Sequence, residues 1–155
     1  LPACYRLDIQ DRLPAEIIKN NTANAALSFT VITRGEIKMH YVISATWGPT
    51  DTTRAALPFI FAESAMQAGD TVMIMLFHDA VTIAVDGSYQ KMIPVGPPPK
   101  FAEVLSNPDA KVLVCKPCAE ARGIKEEMLV KNCNLAGMND FHKEASMTNT
   151  KTVTF

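Results

Sequence analysis

Two cysteines three residues apart, Cys115 and Cys118, stand in the run Val112-Leu113-Val114-Cys115-Lys116-Pro117-Cys118, where an apolar stretch meets a proline. A thiolate is a strong nucleophile toward divalent sulfur. A pair at this spacing suits attack by Cys115 on a disulfide, polysulfide or thiosulfonate, with Cys118 able to resolve the product as an internal disulfide. The apolar run predicts a strand ending at Cys115. Pro117 predicts a helix opening just after it, because proline at a helix start lacks only an N–H that would be unpaired anyway. Helix-start N–H groups and the charge of Lys116 would both lower a thiol pKa at Cys115. The plain alternative is a pair of buried structural thiols.

Other residues of chemical interest fall near the same end of the predicted strands. His78-Asp79 follows one strand, and His78 can donate a proton, partner a thiolate or contact a substrate; otherwise it merely ends the strand. Thr46-Trp47-Gly48 follows another. Trp47 can wall a pocket, although core packing is the expected role of a single tryptophan. Arg122 can contact an anionic substrate such as thiosulfate, or simply face solvent. A zinc site would have to use Cys115, Cys118, Cys133 and His142, and the last two are spread too widely for the usual paired hairpins. No metal is therefore expected, and Cys133 reads as a buried or half-buried thiol. The glycine patterns that cradle phosphates or dinucleotides are absent, and Ser88 lacks a nucleophile-elbow context.

The elements that must position these groups alternate. Strands are predicted at 38–45, 71–77, 111–114 and 151–155, from β-branched and aromatic enrichment or continuous apolar runs. Helices are predicted at 53–68, with Thr50 or Asp51 as cap and Pro58 as a blemish, and at 100–105, 117–122, 125–131 and 140–147. A short third element is expected at 80–85, and loops at 96–99 and 134–139. Strand-helix repetition implies an α/β fold: an open parallel sheet with helices on both faces, and ligands bound beyond the carboxyl ends of the strands. Residues 1–35 differ. They hold a short helical pattern at 13–21 and strand character at 27–33, and read as an N-terminal extension to an α/β domain over 36–155. Cys4 lies there and receives no assignment.

Composition narrows the function classes. Of 155 residues, 48% are hydrophobic and 20% charged, which supports a buried core and argues against disorder. The formal net charge of -1 lacks the basic excess expected of a nucleic-acid binder. The densest apolar run, Val72 to Phe77, stops at His78-Asp79, far short of the roughly 18 residues of a membrane span. No secretory signal is expected, because Arg6, Asp8, Asp11 and Arg12 interrupt any apolar core of one. Four cysteines are few for a disulfide scaffold, so a reducing, cytoplasmic setting is expected.

The segment Val114-Cys115-Lys116-Pro117-Cys118-Ala119-Glu120-Ala121-Arg122-Gly123-Ile124 resembles the signature of the DsrE/DsrF-like family, which includes TusD-type sulfur-relay proteins. The cysteine stands eight residues before the glycine of an Arg-Gly pair, as Cys115 does before Gly123. The second cysteine resembles a C-x-x-C subgroup linked to sulfur-compound oxidation. The resemblance covers about residues 38–155. It implies a single-domain Rossmann-like sheet of about five parallel strands and a homo-oligomer, trimeric or hexameric. It implies a sulfur carrier or sulfurtransferase holding sulfur on Cys115 as persulfide or thiosulfonate and passing it to a partner protein such as a TusA-like carrier, with no cofactor. Two other readings stand beside it. One is a thiol-disulfide oxidoreductase cycling Cys115 and Cys118. The other is a non-enzymatic module with structural or zinc-bound cysteines.

Overall fold

Runs that are apolar on both sides become the strands of a sheet covered on both faces. In the computed structural model, which describes residues 38–92 and 101–155, the strands are β1 (His40–Ala45), β2 (Thr71–Leu76), β3 (Ala110–Cys115), β4 (Cys133–Ala136) and β5 (Thr150–Thr154). All four neighbouring pairs are parallel, in the order β4-β3-β2-β1-β5. β2 is buried at five of its six positions, as a central parallel strand must be. The described residues fall within one unit, Gly35–Phe155.

The helices are α1 (Thr52–Gln67), α2 (Phe101–Ser106), α3 (Lys116–Glu120) and α4 (Met138–Ala145). The chain winds outward from β1 to β4 and then returns across the sheet to place β5 on the far side of β1. Right-handed crossovers put the outward connections on one face and the return helix on the other. Side-chain contacts agree. Tyr41 of β1 meets Phe61 of α1 edge-on with ring centroids 5.1 Å apart, and Phe59 meets Phe101 of α2 at 4.7 Å. On the opposite face Glu144 of α4 reaches His40 of β1 at 3.1 Å and Lys111 of β3 at 2.6 Å. Among the described residues no helix is long and apolar enough to cross a membrane.

Local signals account for α1. Asp51 is its cap, accepting from the Arg54 N–H at 3.0 Å, while Thr50 turns to another partner. Pro58 lies inside the helix and is buried. Gly69, at φ +88°, ends it.

Two expectations fail for the same reason. Residues 125–131, expected as helix, hold only a single 3-10 turn, Glu126–Met128. Their backbone is drawn instead to the segment after β2: Leu129 bridges Val85, the Asp86 N–H donates to the Met128 carbonyl, and the Val130 N–H donates to the Ala84 carbonyl. Residues 134–139, expected as a loop, contain β4 and the start of α4. β4 is four residues long and forms because the edge of β3 offers it hydrogen bonds, Cys115 pairing with Ala136. The element expected at 80–85 is a 3-10 segment, His78–Ala84. The patterns at 13–21 and 27–33, the loop at 96–99 and Cys4 lie outside the described residues.

Candidate functional site: a dithiol on the sheet rim

β1, β2 and β3 end at one rim, and the groups singled out from the sequence gather there. Cys115 is the last residue of β3 and is buried, with 9% exposure. Cys118 lies within α3 and is half-buried. Both are free thiols. Gly123, at φ +67°, closes the turn after α3, and the Ile124 N–H donates to the Ala119 carbonyl while Ile124 packs into the core. This is a left-handed C-terminal cap with its hydrophobic contact, and it explains the Arg-Gly-Ile sequence after the cysteines.

The thiol electrostatics correct the sequence reading. Burial pushes the Cys115 thiol above its ordinary value, and the neighbouring Cys118 thiol pushes it further; the Cys118 amide and the Arg122 charge pull it down by less. α3 has only five residues, too few for much of a helix dipole, and the thiol pays for its loss of water. Lys116 does not supply the expected charge. It is exposed and leans 4.0 Å from Glu120. The cation that acts on Cys115 is Arg122, whose Nη1 donates to the Cys118 carbonyl at 3.0 Å and is thereby held over the dithiol turn.

The loop after β2 reaches the same turn. The backbone N–H of His78 donates to Cys118 Sγ at 3.3 Å. His78 stands at φ +48°, a left-handed conformation uncommon for a residue with a side chain. His78 is exposed. With Asp79, Thr46, Trp47 and Thr50 it lines a mainly apolar hollow of about 470 Å³. Thr50 donates to Asp79 Oδ2 at 2.9 Å and joins the two loops. Trp47 does not pack in the core as expected. It is 37% exposed, with the Arg54 guanidinium 4.5 Å above its ring. Gly48 makes this arrangement possible, since a Cβ there would lie 2.4 Å from the Asp79 carbonyl oxygen. Thr50 is the wall residue that sequence reasoning missed; its capping signal next to Asp51 was explained locally and pointed away from the rim.

The four candidate zinc ligands are not brought together. Cys133 pairs with Val112, three residues before Cys115 along β3, so it lies about 10 Å away and on the opposite face of the sheet. Among the described residues no three His, Cys, Asp or Glu side chains converge on a common point. Cys133 is 4% exposed, and burial pushes its thiol up to about 12.

Residues 39–155 match the model of the DsrE/DsrF-like family. The chain belongs to that family. Its curated relatives include the uncharacterized proteins MJ0989 of Methanocaldococcus jannaschii, 34% identical over 66% of this chain and 88% of that one, and MK0008 of Methanopyrus kandleri, 32% identical over 59% and 74%. The fold is shared with the crystal structure of the ychN protein from E. coli, at a TM-score of 0.58 and 17% identity over 77% of this chain and all of that one. It is shared too with a protein of unknown function from Methanobacterium thermoautotrophicum, at a TM-score of 0.57 and 12% identity. The DsrE/DsrF-like family is known for sulfur relay, and membership supports a sulfur-related role in general.

Proposed function

We propose that this DsrE/DsrF-like chain is a sulfur carrier that holds sulfane sulfur or thiosulfonate on Cys115 and passes it to the thiol of a partner protein. The observation that carries the reading is the free dithiol at the end of β3, reached by a backbone donor from His78 and by the charge of Arg122. A sulfur atom moving between thiols needs a nucleophilic sulfur, a place for the leaving thiolate and an open approach. The thiols of Cys115 and Cys118 and the half-buried position of Cys118 support this reading. Cys118 is the auxiliary thiol. Trp47 and His78 face the donor or the partner, and Arg122 favours an anionic group such as thiosulfonate. Lys116, exposed on the same turn, adds charge for an acidic partner rather than for the thiol.

The reading includes a reducing, cytoplasmic setting, which keeps the thiols free. It includes a TusA-like carrier as donor or acceptor, and a homo-oligomer of three or six chains. Leu57 and Ile60, both exposed and one turn apart on α1, offer an apolar patch for self-association.

Intact-mass spectrometry without reductant, after exposure to polysulfide or tetrathionate, tests it. The wild type should gain the mass of sulfur or thiosulfonate on the peptide holding Cys115 and Cys118, and the double Cys115→Ser/Cys118→Ser variant should gain nothing. If the wild type instead loses two hydrogens and gains nothing, the chain is a thiol-disulfide oxidoreductase.

A further inference from the structure

We infer that Cys118, not Cys115, is the thiol that first accepts sulfur, and that Cys115 receives it from Cys118. This rests on the carrier reading above and assigns the order of events within it.

Three observations carry the assignment. Exposure comes first: Cys115 is nearly sealed at the strand end, whereas Cys118 is half-buried on the turn above it. An incoming sulfur donor meets Cys118 before Cys115. The second is the His78 N–H on Cys118 Sγ at 3.3 Å. A backbone donor aimed at a sulfur stabilises its anion, both before attack and when the sulfur is again a leaving group. His78 holds that donor in place with a left-handed backbone, the kind of strain that a surrounding structure must over-determine. The third is position. His78 also lines the hollow walled by Trp47 and Thr46, so the donated N–H and the open space belong to one residue. At Cys115, burial and the neighbouring thiol both favour the protonated form, which accords with a second, slower step there.

The steps balance. The Cys118 thiolate attacks the outer sulfur of a small persulfide, R–S–SH. The new S–S bond forms at Cys118, the donor S–S bond breaks, and R–S⁻ leaves; the Cys118 sulfur is oxidised and the donor sulfur reduced. Cys115 then attacks the outer sulfur of the Cys118 persulfide. Its proton passes to the departing Cys118 thiolate, leaving Cys115–S–SH and Cys118–SH.

Two measurements on the full chain test the order. Glutathione persulfide is mixed with wild type, Cys115→Ser and Cys118→Ser, and loading is followed by quenched mass spectrometry. Cys115→Ser should load near the wild-type rate with the sulfur trapped on Cys118, and Cys118→Ser should load at least about tenfold more slowly. The reverse pattern overturns the inference and leaves the carrier reading standing. The second measurement needs no variant: wild type is treated with limiting iodoacetamide and the modified site mapped. Cys118 should be alkylated before Cys115, and alkylation of Cys115 first overturns the assignment. Alkylation at Cys118 with no persulfide loading by any form overturns the carrier reading, and with it the transfer to Cys115.

Discussion

The amide of His78 and the sulfur of Cys118 are 40 residues apart in the chain and 3.3 Å apart in the fold. The contact joins the end of β2 to the turn after β3, and it depends on His78 keeping a positive φ of 48°. Asparagine and glycine enter that region more readily than other residues, and β-branched residues do so at a clear cost. His78→Val should therefore destabilise the chain by about 1–3 kcal/mol, while His78→Asn stays within about 1 kcal/mol of wild type. Urea denaturation midpoints measure the difference. Equal midpoints for the two variants would show that the strain is relieved in solution.

Gly48 faces the Asp79 backbone with no room for a methyl group, the nearest oxygen lying 2.4 Å from where a Cβ would be. Gly48→Ala must push the loops after β1 and β2 apart. The expected cost is about 1–3 kcal/mol, as for overpacking elsewhere. The Thr50 to Asp79 hydrogen bond spans the same two loops, so Trp47 should move with them. Thermal unfolding gives the cost, and Trp47, the single tryptophan, reports the loop shift by its fluorescence.

Cys133 should behave unlike the rim thiols. Its thiol is raised from 9.0 to about 12 by burial, so the folded state prefers it protonated. A group with a raised folded pKa contributes no loss below its unfolded value and loses stability above it. Stability should fall as pH rises from 9.0 toward about 12, and Cys133→Ala should flatten that fall. Native alkylation at neutral pH should spare Cys133, whereas denatured protein should label it fully.

Glu144 gives an acid-side counterpart. Burial opposes its ionisation, but Lys111 at 2.6 Å and His40 at 3.1 Å outweigh burial and hold the carboxyl below its ordinary value of 4.5. A lowered folded pKa contributes stability that is present above 4.5 and lost as pH falls through the folded value. Glu144→Gln should cost about 1 kcal/mol at neutral pH, since the Lys111 end is largely solvated and only the His40 side is sheltered. The gap between variant and wild type should narrow below 4.5, and urea midpoints across the acid range measure it.

Much of the fold was legible because local signals were strong. The continuous apolar run of β2, the capped periodicity of α1 and the proline after Cys115 each carry their own instruction, and the C-x-x-C pair was placed at a strand end, where β3 does end. β4 was not legible. Cys133–Ala136 is too short and too mixed, with Asn134 exposed, to declare itself without the β3 edge beside it. Residues 125–131 look helical alone and are drawn away by residues 84–86.

The sequence by itself determined which reactive residue types stand near the strand ends: two thiols one turn apart, a histidine and a tryptophan after neighbouring strands, and an Arg-Gly turn. The tertiary structure decided what those groups are able to do. Burial depends on every element packed around a side chain, and here it pushes the Cys115 thiol up, against the expectation from its neighbours in the chain. Backbone donors leave no mark on residue identity, so the His78 N–H on Cys118 exists only once β2 and β3 lie side by side.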